Sequence, residues 1–163
     1  MAHSMRRRPL ILVVVVLALG WLAFARDTKA ASWQGIEPFK TRRADVVQIL
    51  GTPISETPNG VLRFSVSGGS VQVSFADEKF VTAKKLRPEL AGTVLEIVLQ
   101  HEHSSETAES MNLLKNHSFV RDEVRNAVIF RNMKDGLVYT FMDGRLKTTR
   151  YTFADSQLSR ARR

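Results

Sequence analysis

Leu137-Val138-Tyr139-Thr140-Phe141-Met142-Asp143-Gly144-Arg145-Leu146-Lys147-Thr148-Thr149-Arg150-Tyr151-Thr152-Phe153 is the stretch that decides the fold class. Leu137–Met142 and Leu146–Phe153 are rich in β-branched and aromatic residues, as strands are. Asp143-Gly144 between them suits a type I′ turn, whose two central residues both take positive φ. A turn of two residues joins antiparallel strands only, because a parallel crossover needs a dozen residues or more. The sheet is therefore antiparallel here and grows from hairpins.

Moving outward, the pattern repeats. Asn126–Asn132 (NAVIFRN) reads as a strand, with Asp135-Gly136 as the turn after it. Thr93–Gln100 (TVLEIVLQ) is an apolar strand that extends toward His103. Val61–Val66 and Val71–Phe75 flank a turn at Ser67–Ser70, and Val71, Val73 and Phe75 share a face by strict alternation. Ala76–Lys79 is an acidic turn, and Phe80–Ala83 is expected to add a short strand. Lys84–Leu90 reads as a charged loop containing Pro88. Ala108, Met111 and Leu114 suggest a short helix within Ser105–Asn116. An internal echo links VQVSFADEKFVTA (71–83) with LVYTFMDGRLKTT (137–149). Both have the order apolar strand, acidic turn, strand. That order is open to two readings: two copies of one unit, or the commonness of hairpins.

The clearest helix outside the N-terminal segment is Thr41–Leu50, with Ala44, Val46, Val47, Ile49 and Leu50 on an apolar side. Thr41 is a plausible N-cap and Gly51 takes the C-cap place. Pro53 prevents continuation. Ahead of it, Trp33-Gln34-Gly35-Ile36-Glu37-Pro38-Phe39 opens the domain. Apolar residues so close together pin a chain terminus onto a core, or else form a partner-binding patch of Trp33, Ile36 and Phe39.

The chain of 163 residues starts differently. Arg6, Arg7 and Arg8 precede an uninterrupted apolar run from Leu10 to Ala25. Arginines resist translocation, so they stay on the cytoplasmic side and the rest is threaded outward. The run is longer than a typical signal-peptide core and shorter than a comfortable membrane span. Ala23-Phe24-Ala25 offers a signal-peptidase site. Residues 1–25 are thus a cleaved signal peptide or a retained membrane anchor, and 26–32 a linker. Residues 33–154 form one domain, and 155–163 a basic tail. The fold class expected is α+β: an export or transmembrane helix, then a short helix packed on an antiparallel β-sheet of hairpins. The location expected is the periplasm or outside the cell, or the inner membrane through residues 10–25.

Charge supports this reading. Six of the 24 basic residues are Arg6, Arg7, Arg8, Arg160, Arg162 and Arg163, which leaves 18 against 16 acidic residues over the body. A nucleic-acid binder would carry a basic stripe on its folded body, and none is visible. The chain has no cysteine, which excludes disulfides, thiolate nucleophiles, thiolate metal sites and lipidation at a cysteine.

Thr41–Pro53, ending in Leu50-Gly51-Thr52-Pro53, resembles the helix-to-turn signature of the BamE/SmpA-like outer-membrane assembly lipoproteins, with Val46 at the matching apolar position. Arg63-Phe64 falls where that family has a strand with an aromatic residue. Val73-Ser74-Phe75-Ala76-Asp77 falls where it has a strand followed by an acidic turn. Trp33-x-Gly35-Ile36-x-Pro38, with Arg43-Ala44-Asp45-Val46, is also similar to a group of secreted bacterial proteins of unknown function. The match covers about 40 residues and departs from the family at Lys40-Thr41-Arg42 and at the absent lipobox cysteine. The resemblance implies a BLIP-like helix-plus-sheet scaffold used for binding proteins.

The chemistry-bearing candidates are few. His101 and His103 lie two apart at a strand end, a spacing that puts two imidazoles on one face for zinc or copper. Asp77, Asp135 and Asp143 all sit in expected turns, where aspartate serves the local backbone. No nucleophile–base set and no phosphate-cradling glycine loop can be assembled from spacing. The functional expectation is a non-enzymatic envelope protein that binds a protein partner, uses no cofactor and binds no nucleic acid. The alternative is a secreted ligand- or metal-binding protein using His101 and His103.

Overall fold

The structure, a computed structural model, describes residues 30–162. The export segment, most of the linker and Arg163 lie outside the described residues. Eight strands form one antiparallel sheet: β1 (Ser55–Glu56), β2 (Leu62–Val66), β3 (Gly69–Phe75), β4 (Val94–His101), β5 (Val120–Val124), β6 (Ala127–Asn132), β7 (Leu137–Met142) and β8 (Arg145–Thr152). Their order is β1-β2-β3-β4-β8-β7-β6-β5. Among the described residues three short α-helices accompany the sheet: α1 (Arg43–Leu50), α2 (Glu78–Ala83) and α3 (Asp155–Ala161). The mixed α+β class expected from the sequence holds for the described residues. None of their helices is long and apolar enough to cross a membrane.

The hairpins follow from local chemistry. Asp143 and Gly144 both take positive φ, 51° and 72°, as the I′ turn demands. Ser67-Gly68 links β2 to β3, and Arg125-Asn126 links β5 to β6. Gly51 ends α1 at φ 83°, its N–H donating to the Val47 carbonyl. Thr41 is not the cap. Its Oγ1 accepts from the Glu37 N–H, while the Arg42 N–H donates to Asp45 at the helix start.

Other expectations are corrected. Phe80–Ala83 is not a strand but most of α2. Asp77 turns the chain into a helix by accepting from the Phe80 N–H at 2.6 Å, a capping bond that outweighs the β-propensity of so short a run. Strand β4 stops at His101 and does not reach His103. Ser105–Asn116 holds turns and one 3₁₀ turn at Leu113–Lys115 rather than an α-helix. The outermost strand β5, Val-Arg-Asp-Glu-Val, is too polar to have drawn attention. Residues read as a basic tail form α3. Ala161 is buried there, the Arg87 N–H donates to the Ala161 carbonyl, and Leu86 bridges Arg162.

One face of the sheet carries the core. On its β1–β4 half, Leu62, Phe64, Val71, Val73 and Ile97 pack with Val46 of α1 and with Ile36, which is fully buried. On the other half, Phe130, Phe141 and Leu146 pack with Leu113, Ala108 and Met111. A third cluster joins α2 and α3 through Val81, Leu86, Leu90, Leu158 and Ala161. Only Val46 of α1 is fully buried; Val47 and Ile49 of the expected apolar side face outward.

The two halves repeat one plan. Each is a four-stranded meander preceded by a helical segment, and they meet where β4 pairs β8, with Val98 opposite Arg150 at the middle of the paired segment. The third strand of each half shifts register against the fourth, at Ser74/Phe75 and at Thr140/Phe141. After the shifts Phe75 pairs Val94 and Phe141 pairs Leu146. Both shifts fall at the same position of the echo seen in the sequence. The two halves diverge after the third strand: one continues into α2, the other into the Asp143-Gly144 turn.

Candidate functional site

Trp33 and Ile36 form a small closed turn, each bonding the other's backbone. Ile36 belongs to the core, and Phe39 stacks on Phe153 at 4.7 Å between ring centroids. Two of the three residues expected as a partner patch therefore fasten the start of the domain. Trp33 is half-buried and lines a cleft of about 200 Å³ with Val66, Gly69, Leu99 and His101. This cleft lies at the end of β3 and β4, beside the Ser67-Gly68 turn.

His101 is half-buried, and its Nε2 lies 2.9 Å from the Thr149 hydroxyl of β8. Burial lowers its pKa below the ordinary value, which favours the neutral ring. His103 lies past the strand end in an exposed bend, so the alternation that would place it on the same face as His101 stops short of it. No group of three or more histidine, aspartate or glutamate residues placed to hold a metal ion occurs among the described residues. On the same sheet face, Tyr139 pairs with Thr149 and Tyr151 pairs with Ile97. Burial raises both phenols, and Tyr139 raises Tyr151 further. This strip of His101, Thr149, Tyr139 and Tyr151 offers hydrogen bonds between the two cores. The histidine bonds a threonine, which cannot orient it as a carboxylate orients a general base.

The opposite face of the sheet is organised differently. Pairing register puts Val98 and Gln100 of β4, Thr148 and Arg150 of β8, Val138 and Thr140 of β7, and Ile129 of β6 on it. None of Val98, Ile129, Val138 and Met142 joins a core cluster among the described residues. Its charges are paired across strands: Arg150 with Glu96 at 3.2 Å, and Arg131 with Asp122 at 2.9 Å. Val98, Val138 and Ile129 alternate there with Thr148, Thr140 and the ion-paired Arg150 and Arg131, Arg150 lying between Val98 and Val138. Such a mixture of apolar, hydroxyl and paired arginine side chains suits a protein-binding surface. Sequence alone missed it, because the Val-x-Val signal that finds a strand does not say which face is covered. The chain has no match among family models, curated proteins or solved structures.

Proposed function

We propose that the chain is an exported, non-enzymatic binding module of the cell envelope that engages a protein partner through the open face of its sheet. The carrying observation is that face: Val98, Ile129, Val138 and Met142 lie on it outside every core cluster among the described residues. Apolar side chains on a sheet face gain free energy, on the order of 25 cal/mol per Å² of apolar area, when a partner covers them. The resemblance of Thr41–Pro53 to the BamE/SmpA-like proteins supports an envelope-assembly role. The arginines and apolar run of residues 6–25 support export, with the product secreted, periplasmic or held in the inner membrane.

Two experiments test this reading. Pull-down from envelope extracts compares the full chain with Val98→Asp/Ile129→Asp. The substitutions are expected to abolish capture of the partner while leaving the melting cooperative. Equal capture by the folded double variant overturns the open face as the binding surface. Fractionation with mass spectrometry of the N-terminus tests export. A product beginning at Arg26, or one sedimenting with membranes, supports it, and an intact N-terminus found only in the cytoplasm overturns it.

The second reading, a small ligand in the cleft beside Trp33 and His101, is favoured by the cleft itself. At about 200 Å³ it is smaller than usual ligand pockets of roughly 300–1,000 Å³.

A further inference from the structure

Strand β5 closes one end of the sheet and is hydrogen-bonded to β6 on one side only. Among the described residues, no backbone bond reaches its other side. The opposite end is closed by β1, which is two residues long and offers little to pair with. Strand β5 offers five residues, and its two terminal valines are conspicuously bare, Val120 at 65% and Val124 at 52% exposure. A long unpaired edge is a template for another strand.

The residues of that edge select the partner. They read Val120-Arg121-Asp122-Glu123-Val124, a sequence whose character is complementary to itself about Asp122. Laid antiparallel against a second copy, Val120 meets the other Val124, Arg121 meets the other Glu123, and Asp122 meets itself. Register with β6 places Val120, Asp122 and Val124 on the open face, and Arg121 and Glu123 on the core face. A two-fold axis perpendicular to the sheet keeps each face on its own side, so only slips of two residues compete. One such slip sets Arg121 against Arg121, and the other sets Glu123 against Glu123. The register about Asp122 alone pairs opposite charges. Whichever alternate set of backbone groups points outward is symmetric about Asp122, so either set closes hydrogen bonds in this register. The two facing Asp122 carboxylates are each held by Arg131 of their own chain at 2.9 Å, which offsets their repulsion.

We infer that β5 pairs with β5 of a second copy, joining two sheets into one about a two-fold axis at Asp122. The interface uses the same patch on both copies and therefore closes as a dimer. It also continues the open face across the axis through the paired valines. The inference rests on the edge alone and not on the identity of a partner on the open face.

The chain's lack of cysteine makes the test clean. In the full chain, held in mild detergent so that the apolar N-terminal run does not drive association, light scattering is expected to give a dimer. Asp122→Cys is expected to cross-link most chains on oxidation at micromolar concentration. Glu56→Cys on β1 and Asp143→Cys in the β7–β8 turn are expected to leave them uncross-linked. Arg121 is also ion-paired with Glu123 of its own chain. Arg121→Glu turns two attractive contacts across the axis into repulsive ones, breaks that pair as well, and is expected to weaken the dimer about tenfold or more. Arg121→Glu/Glu123→Arg is expected to restore it, and melting curves report that each variant is folded. Three results overturn the inference. One is a wild-type chain that stays monomeric at about 100 µM. Another is a folded charge-swap variant that does not recover the dimer. The last is cross-linking at Asp122→Cys no greater than at Glu56→Cys.

Discussion

A methyl group added at Gly69 would lie 1.9 Å from the Gln100 carbonyl oxygen, and one added at Gly136 would lie 2.1 Å from that of Thr152. Both are backbone atoms of the neighbouring fourth strand, so neither can move aside without disturbing the sheet. Gly69→Ala and Gly136→Ala are each expected to cost more than about 2 kcal/mol in chemical denaturation. Gly68→Ala meets nothing within 4 Å and is expected to cost less, about 1 kcal/mol from its positive φ. His101 offers a pH handle. Its folded-state pKa is lowered by burial, so the unfolded chain binds the proton more readily. Stability contributed by the neutral ring is therefore present above the unfolded value of 6.5 and falls as pH drops below it. The melting temperature of the wild type is expected to decline from pH 7 to 5, and that of His101→Gln to decline less. Sequence pointed to His101 as a notable residue but misjudged its company: the neighbour is Thr149, 48 positions away, not His103.

Among the elements, α2 shows how a local signal can be present and yet misread. Phe80-Val81-Thr82-Ala83 has strand-like composition, but Asp77 two residues before Lys79 is an N-cap. Asp77→Ala is expected to cost about 1 kcal/mol and Asp77→Asn much less, checked by urea denaturation of both variants. α1 was legible at its C-terminal end, where Gly51 and Pro53 act locally. Its buried face was only partly legible, because five apolar residues at helical spacing do not reveal that the core contacts centre on Val46 and Leu50. β5 was not legible at all. Its charges suit an edge, and an edge is defined by strands that are absent beside it.

At the scale of the whole sheet, the described residues form two meanders joined by β4 and β8. These two strands are flanked on both sides and lie farthest from either edge. Their amides are expected to exchange with solvent slowest, with those of β1 and β5 fastest, in hydrogen-exchange measurements. Equal protection across all eight strands would contradict a sheet opened from its edges. The sequence by itself determined the antiparallel hairpins, the end of α1 and the absence of cysteine chemistry. Turns and caps depend on residues within a few positions of one another, and Asp143-Gly144 can be read wherever it occurs. Only the tertiary structure decided that β4 lies against β8, that Phe80–Ala83 is helical, that residues 155–161 dock rather than trail, and which sheet face carries the core clusters. Those outcomes depend on burial between residues tens of positions apart, where no local pattern records the partner.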